Sequence, residues 1–113
     1  SLHAPYSCHP DLLRAGAAWC RSEGVPLCLH VAESPAETAL LLHGDIPSVR
    51  PTVKLLAKLL GAWPSWVPGL RPIPYLASLG VLAARPLLVH AVQVTDADIQ
   101  VIADADCAVV HCP

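Results

Sequence analysis

The chain has 113 residues, 54% of them hydrophobic and only 14% charged, with a formal net charge of -2 at pH 7. That length suits one small domain or part of a larger one, and the apolar balance is high for a small free-standing domain, whose large surface fraction needs polar cover. The weak negative charge gives no basic field for nucleic acid, no uninterrupted apolar run is long enough to span a bilayer, and the N-terminus lacks the basic stretch and apolar core of a signal peptide.

Five cysteines, an odd number without any C-x-x-C pair, argue against a disulfide framework and a zinc ribbon. Cys20, in a candidate helix, and Cys28 and Cys107, in apolar strand-like runs, are expected to be buried, reduced thiols of a cytoplasmic protein.

In chain order, His3 is expected to follow the tail of a strand, and Pro10 suits the first turn of a helix. Residues 11–23 carry apolar side chains at helical spacing, with Gly24 as the stop. Residues 27–32 are apolar on both sides, as expected of a parallel strand covered by helices. Ser34-Pro35-Ala36-Glu37 has the pattern of a capping box, so a helix is expected to about His43, ending at Gly44.

Residues 45–74 form an irregular Pro/Trp-rich insertion. Within it, 53–60 reads as a short helix and 61–74 as a loop in which Trp63 and Trp66 pack locally or wall a pocket. An excursion of this length is often functional. A helical turn over 74–79 is stopped by Gly80, and 86–92 is the next strand. Thr95 is expected to cap a helix over 96–105, with Asp96 and Asp98 at its positive end, and 107–111 is the last strand. The alternation of strands and helices implies a parallel sheet in an α/β fold.

Four histidines stand near the ends of these candidate strands: His3 in LHAPYS, His30 in PLCLHVAES, His90 in LLVHAV and His111 in CAVVHCP. In a parallel α/β barrel the C-terminal ends of the strands are where active sites are built. Side chains alternate along a strand, so Cys28, His30 and Ala32 share one face and Leu27, Leu29 and Val31 the face turned to helices. Glu33 follows just past the strand. A metal-bound water attacking an electrophilic carbon needs a nearby group to take and return a proton; His30 and Glu33 are residue types that supply a metal ligand and such a shuttle. One histidine at a strand end is compatible with a structural role; the coincidence of four points to a site. His9 and His43 fall at helix ends and are read as capping or solvent-facing.

In their order and spacing, HAPYS, HVAES, LLVHAV followed by Thr95-Asp96-Ala97-Asp98, and VVHCP resemble the metal-dependent amidohydrolase superfamily, in its branch of cytosine-deaminase-like and chlorohydrolase-like aminohydrolases. The resemblance implies an α/β fragment of a (β/α)8 TIM barrel, approximately strands 4/5 to 7, with residues 1–113 a partial barrel domain. It assigns His30 as a metal ligand, Glu33 as the catalytic acid/base, His90 as the residue that holds the attacking hydroxide, and His3 and His111 as substrate contacts. Gln93 and Val94 stand where many members have a second histidine, and the family's H-x-H pair and late aspartate have no counterpart here. The resemblance therefore implies a piece of a longer enzyme, inactive by itself.

The implied reaction is hydrolytic deamination of an amino-substituted heterocycle of purine, pyrimidine or nucleoside type by a metal-bound hydroxide. One divalent ion, Zn2+ or alternatively Fe2+, is implied per intact site, and a small heterocycle, rather than nucleic acid or membrane, is the implied partner. Hydrolysis of a halide or a cyclic amide bond on the same scaffold is the rival chemistry, and a barrel segment with purely structural histidines the rival class.

Overall fold

The computed structural model describes residues 2–112; Pro113 of the VVHCP motif lies outside them. In chain order the elements are α1 (Pro10–Glu23), β1 (Cys28–Val31), α2 (Pro35–His43), α3 (Pro51–Leu59), α4 (Pro72–Ser78), a 3-10 turn (Val81–Ala84), β2 (Leu87–His90), α5 (Asp96–Asp104) and β3 (Ala108–Val110). The strands form a parallel sheet in the order β1-β2-β3, with Cys28 beside Leu87 and Leu87 beside Ala108.

Three strands stand among the described residues where four strand ends were expected. The chain at His3 is not a strand, yet its carbonyl accepts the His30 backbone N–H at 2.9 Å, alongside β1.

Apolar alternation decides which face of the sheet is covered. Leu29, Val31 and Leu88 are fully buried and cluster with Leu13 and Ala17 of α1, Leu41 of α2, Ile73 and Leu76 of α4, and Ile102 of α5. Each of the leucine, isoleucine and valine side chains among them contributes roughly 1.5–3 kcal/mol through burial. The opposite face, with Cys28, His30, Leu87 and Val89, is half-open or exposed. Cys28 is therefore half-buried, as are Cys20 and Cys107, and the expectation of three buried thiols is corrected: only Cys8 is buried, and all five thiols are free.

The helix ends follow local chemistry. The His9 ring caps α1, its Nδ1 accepting the Asp11 N–H at 3.2 Å, and His43 is exposed in the last turn of α2. Gly24 and Gly44 close α1 and α2 in the left-handed conformation, with φ of 63° and 69°. Ser34 Oγ caps α2 as the sequence suggests, but the reciprocal half of that capping box is not made; Glu37 turns elsewhere. The reciprocal box forms instead at Thr95 and Asp98, at the start of α5. Helix α4 begins at Pro72, two residues before the expected turn, because the first helical turn has no use for the N–H that proline lacks.

Candidate active site

Strand β1 delivers His30 to the open face. Its ring Nδ1 lies 3.1 Å from the His3 carbonyl oxygen. A carbonyl only accepts, so Nδ1 is the donor in this contact, and in the neutral ring Nε2 then keeps the lone pair that a metal ligand needs. His3 lies beside it: the ring centroids are 5.4 Å apart, and His3 Nδ1 is 2.7 Å from Ser7 Oγ.

Strand β2 delivers His90 by breaking its own alternation. His90 pairs with Val31 in the sheet and has the parity of the buried Leu88, so a regular strand would turn it toward the helices. Instead His90 and Ala91 take φ of 80° and 47°. That conformation is uncommon outside glycine and costs on the order of 1–3 kcal/mol where it is imposed. It swings the ring to 5.3 Å from that of His30, centroid to centroid, and puts Nε2 3.6 Å from Glu33 Oε1. His111 joins through the backbone, its Nδ1 3.2 Å from the His90 carbonyl oxygen.

The turn that carries Glu33 is fixed on both sides. Ala32 has φ of 52°, and its carbonyl accepts N–H bonds from Val92 at 3.0 Å and Gln93 at 2.7 Å. Its own N–H goes to Glu37 Oε1 at 3.1 Å, and the Glu33 N–H goes to Glu37 Oε2 at 2.8 Å. Glu37 is only 4% exposed. Burial raises its pKa above the usual carboxylate value, and the two backbone N–H bonds oppose that rise. The β2 exit is held in turn by Arg71, which donates to the Gln93 carbonyl at 2.7 Å and to the buried Asp98 carboxylate at 3.0 Å.

Sequence reading reached His3, His30, Glu33, His90 and His111, and the fold brings all five to one end of the sheet. It missed Glu37 and Arg71. Glu37 had one available signal, a carboxylate two positions before a run of apolar helix residues, which the capping pattern absorbed.

A cavity of about 700 Å³ opens between the first loop and the insertion, lined by Tyr6, Ser7, Lys58, Trp63 and Trp66 among others but by no histidine; Tyr6 and Ser7 connect its wall to His3. The tryptophans do both things the sequence allowed. Trp63 Nε1 donates to the Gly44 carbonyl at 3.1 Å, Trp66 packs against His9, and both face this cavity.

Among the described residues, no three His, Cys, Asp or Glu side chains converge well enough to hold a metal ion. His30 fits as one ligand of such a site through its free Nε2; the remaining donors are not in this set. No helix among the described residues is long and apolar enough to cross a membrane.

Known proteins similar to this chain are deaminases. No family model matches the chain. It is 42% identical over 120 residues to an aminodeoxyfutalosine deaminase of Deinococcus radiodurans, covering 100% of this chain and 28% of the relative. It is 30% identical over 111 residues to a 5-methylthioadenosine/S-adenosylhomocysteine deaminase of Nitratidesulfovibrio vulgaris, covering 98% of this chain and 20% of the relative. Among solved structures, an adenosine deaminase from Xanthomonas campestris with bound zinc matches with a TM-score of 0.68 and 25% identity, over 98% of this chain and 20% of that one. The chain thus spans between a fifth and somewhat over a quarter of the length of these proteins. Proteins named as adenosine-type deaminases are thus similar to this chain along nearly its whole length, in keeping with the resemblance carried by the four histidine motifs.

Proposed function

We propose that these residues are the central part of a (β/α)8 aminohydrolase that removes the amino group of a purine-nucleoside-like substrate by hydrolysis, and that they carry its proton-transfer machinery. The observation that carries this reading is the meeting of His3, His30, His90 and Glu33 at one end of a parallel sheet, with Glu33 3.6 Å from His90. The names of the relatives support the substrate class.

His30 would hold a divalent ion through Nε2, zinc in the first instance and iron as the alternative, with other ligands supplied from outside this segment. Such an ion lowers the pKa of the attacking water. Glu33 is half-exposed toward the open face, free to take the proton from that water and pass it to the ring nitrogen and then to the departing amine. Water thereby adds across the carbon–nitrogen bond, and ammonia leaves. His90 orients the attacking oxygen and stabilises the negative charge that grows on it. His3 and His111 flank the ring and contact it, and the insertion 45–74 borders the substrate's entry. The enzyme works in the cytoplasm.

The test is turnover by the purified full-length enzyme on adenosine, 5'-deoxyadenosine, 5-methylthioadenosine, cytosine and a chlorinated heterocycle, following released ammonia and chloride. Ammonia from the nucleosides is the expected result. Chloride release alone would move the protein to the rival leaving-group chemistry, and no turnover on any of them with zinc bound would favour a structural segment.

A further inference from the structure

We propose that Glu37 is a positioning residue that holds Glu33 in place for proton transfer, an inference that rests on the catalytic reading above. Glu37 lies in the first turn of α2 and touches neither the open face nor the histidine rings through any hydrogen bond. Its two oxygens take the N–H groups of consecutive residues, Ala32 at 3.1 Å and Glu33 at 2.8 Å.

Consecutive N–H groups point to the same side only when the backbone departs from extended geometry, and Ala32, with φ of 52°, provides that departure. A two-oxygen anion fits such a pair; an amide has one acceptor and would set its NH2 against the second N–H. The start of a helix also favours negative charge. Glu37 is 4% exposed, and a carboxylate in that position is costly unless its hydrogen bonds are made.

The other side of the same turn is fixed too. The Ala32 carbonyl takes the Val92 and Gln93 N–H groups, so the peptide before Glu33 is tied to the chain leaving His90. Glu37 thereby completes a clamp whose output is the separation of Glu33 from His90. A carboxylate needed only to cap α2 would reach the Ser34 N–H; this one reaches past it to Ala32 and Glu33.

The experiment is a double-mutant cycle in the full-length, metal-loaded enzyme: Glu37→Gln and Glu33→Gln, each alone and together, with kcat, KM, metal content and thermal midpoint measured. Glu33→Gln should lower kcat by about 10²–10⁴-fold, the usual contribution of a placed acid/base. Glu37→Gln should lower kcat by about 10–100-fold, as a displacement of roughly an ångström does, with KM and metal content little changed. In the Glu33→Gln background the same change should alter the remaining rate by less than about twofold, because placement no longer matters once the carboxylate is gone.

Losses that multiply in the double variant would overturn the proposal and leave Glu37 a support of the fold. Should the glutamine variant not fold, Glu37→Asp decides by the same cycle, since it keeps the charge but is one methylene too short to reach both N–H groups. Failure of both variants to fold also overturns it. A fully active Glu33→Gln would sink the catalytic reading and this inference together, whereas multiplying losses with an impaired Glu33→Gln sink this inference alone.

Discussion

His30 and His90 face one another across the end of the sheet, although the strand register sets His90 beside Val31 and not beside His30. The two rings meet because β2 ends at His90, which like the following Ala91 has positive φ, whereas β1 reaches His30 in regular geometry. One histidine owes its place to strand alternation and the other to a departure from it, and the two substitutions therefore have different consequences.

His30→Ala removes a nitrogen proposed to bind metal and leaves the backbone unstressed. In the full-length enzyme, metal content and activity should fall together, while the thermal midpoint measured without metal stays near that of the wild type. Elemental analysis after dialysis against a weak chelator makes the measurement. Full metal retention would show that His30 only packs.

At His90 the backbone matters as much as the ring. Asparagine tolerates positive φ, so His90→Asn should fold, keep its metal and lose activity. Valine tolerates it poorly, so His90→Val should lose activity and also roughly 1–3 kcal/mol of stability. Denaturant unfolding of the two variants separates these effects, and equal stability would contradict the positive φ at this position.

Tyr75 offers a test of the core. It is 3% exposed, and its hydroxyl has no hydrogen-bond partner among the described residues. Burial raises its pKa, since a phenolate would be left without solvation. Tyr75→Phe removes a desolvated polar atom and keeps the ring, so stability should hold or rise by about 1 kcal/mol. A loss of more than that would reveal a bridging water at this hydroxyl.

How much of this was legible follows from what each residue acts upon. The parallel α/β alternation could be read because strand burial writes itself as apolar runs: 27–32 and 86–92 became β1 and β2, each trimmed by a residue or two where the chain turns. His30 and Glu33 could be read because their neighbours in sequence are their neighbours in space. The orientation of His90 could not, since alternation predicts the opposite face and only the dihedral angles reverse it. Glu37 and Arg71 were hidden for another reason: both act largely on backbone groups, Arg71 on a carbonyl 22 positions away, and backbone partners leave no residue-type signal.

The ion pair between Asp45 and Lys54 predicts a pH response outside the site. The hydrogen bond from the Lys54 ammonium holds the Asp45 carboxyl below its usual value. For a carboxylate with a lowered folded pKa, the stabilisation is present above the unfolded value and fades as pH falls through the folded one. The Asp45 carboxyl should therefore titrate at lower pH than about 3.9, the ordinary aspartate value, by NMR, and Lys54→Gln should bring its midpoint back up. An unchanged midpoint in that variant would show that the contact does not persist in solution.

That pair also says something about how the molecule breathes. Helix α3 buries none of its residues, and Leu55, Leu56, Leu59 and Leu60 are all more than half exposed. Its link to the preceding loop runs through Lys54 rather than through packed side chains. With so little apolar contact to lose, α3 unravels at a small fraction of the free energy needed to open β1 or β2. Amide exchange should run ahead there by orders of magnitude, so the chain has two thermal lives: a quiet sheet that keeps its histidines in register, and a restless outer turn that comes and goes without disturbing them.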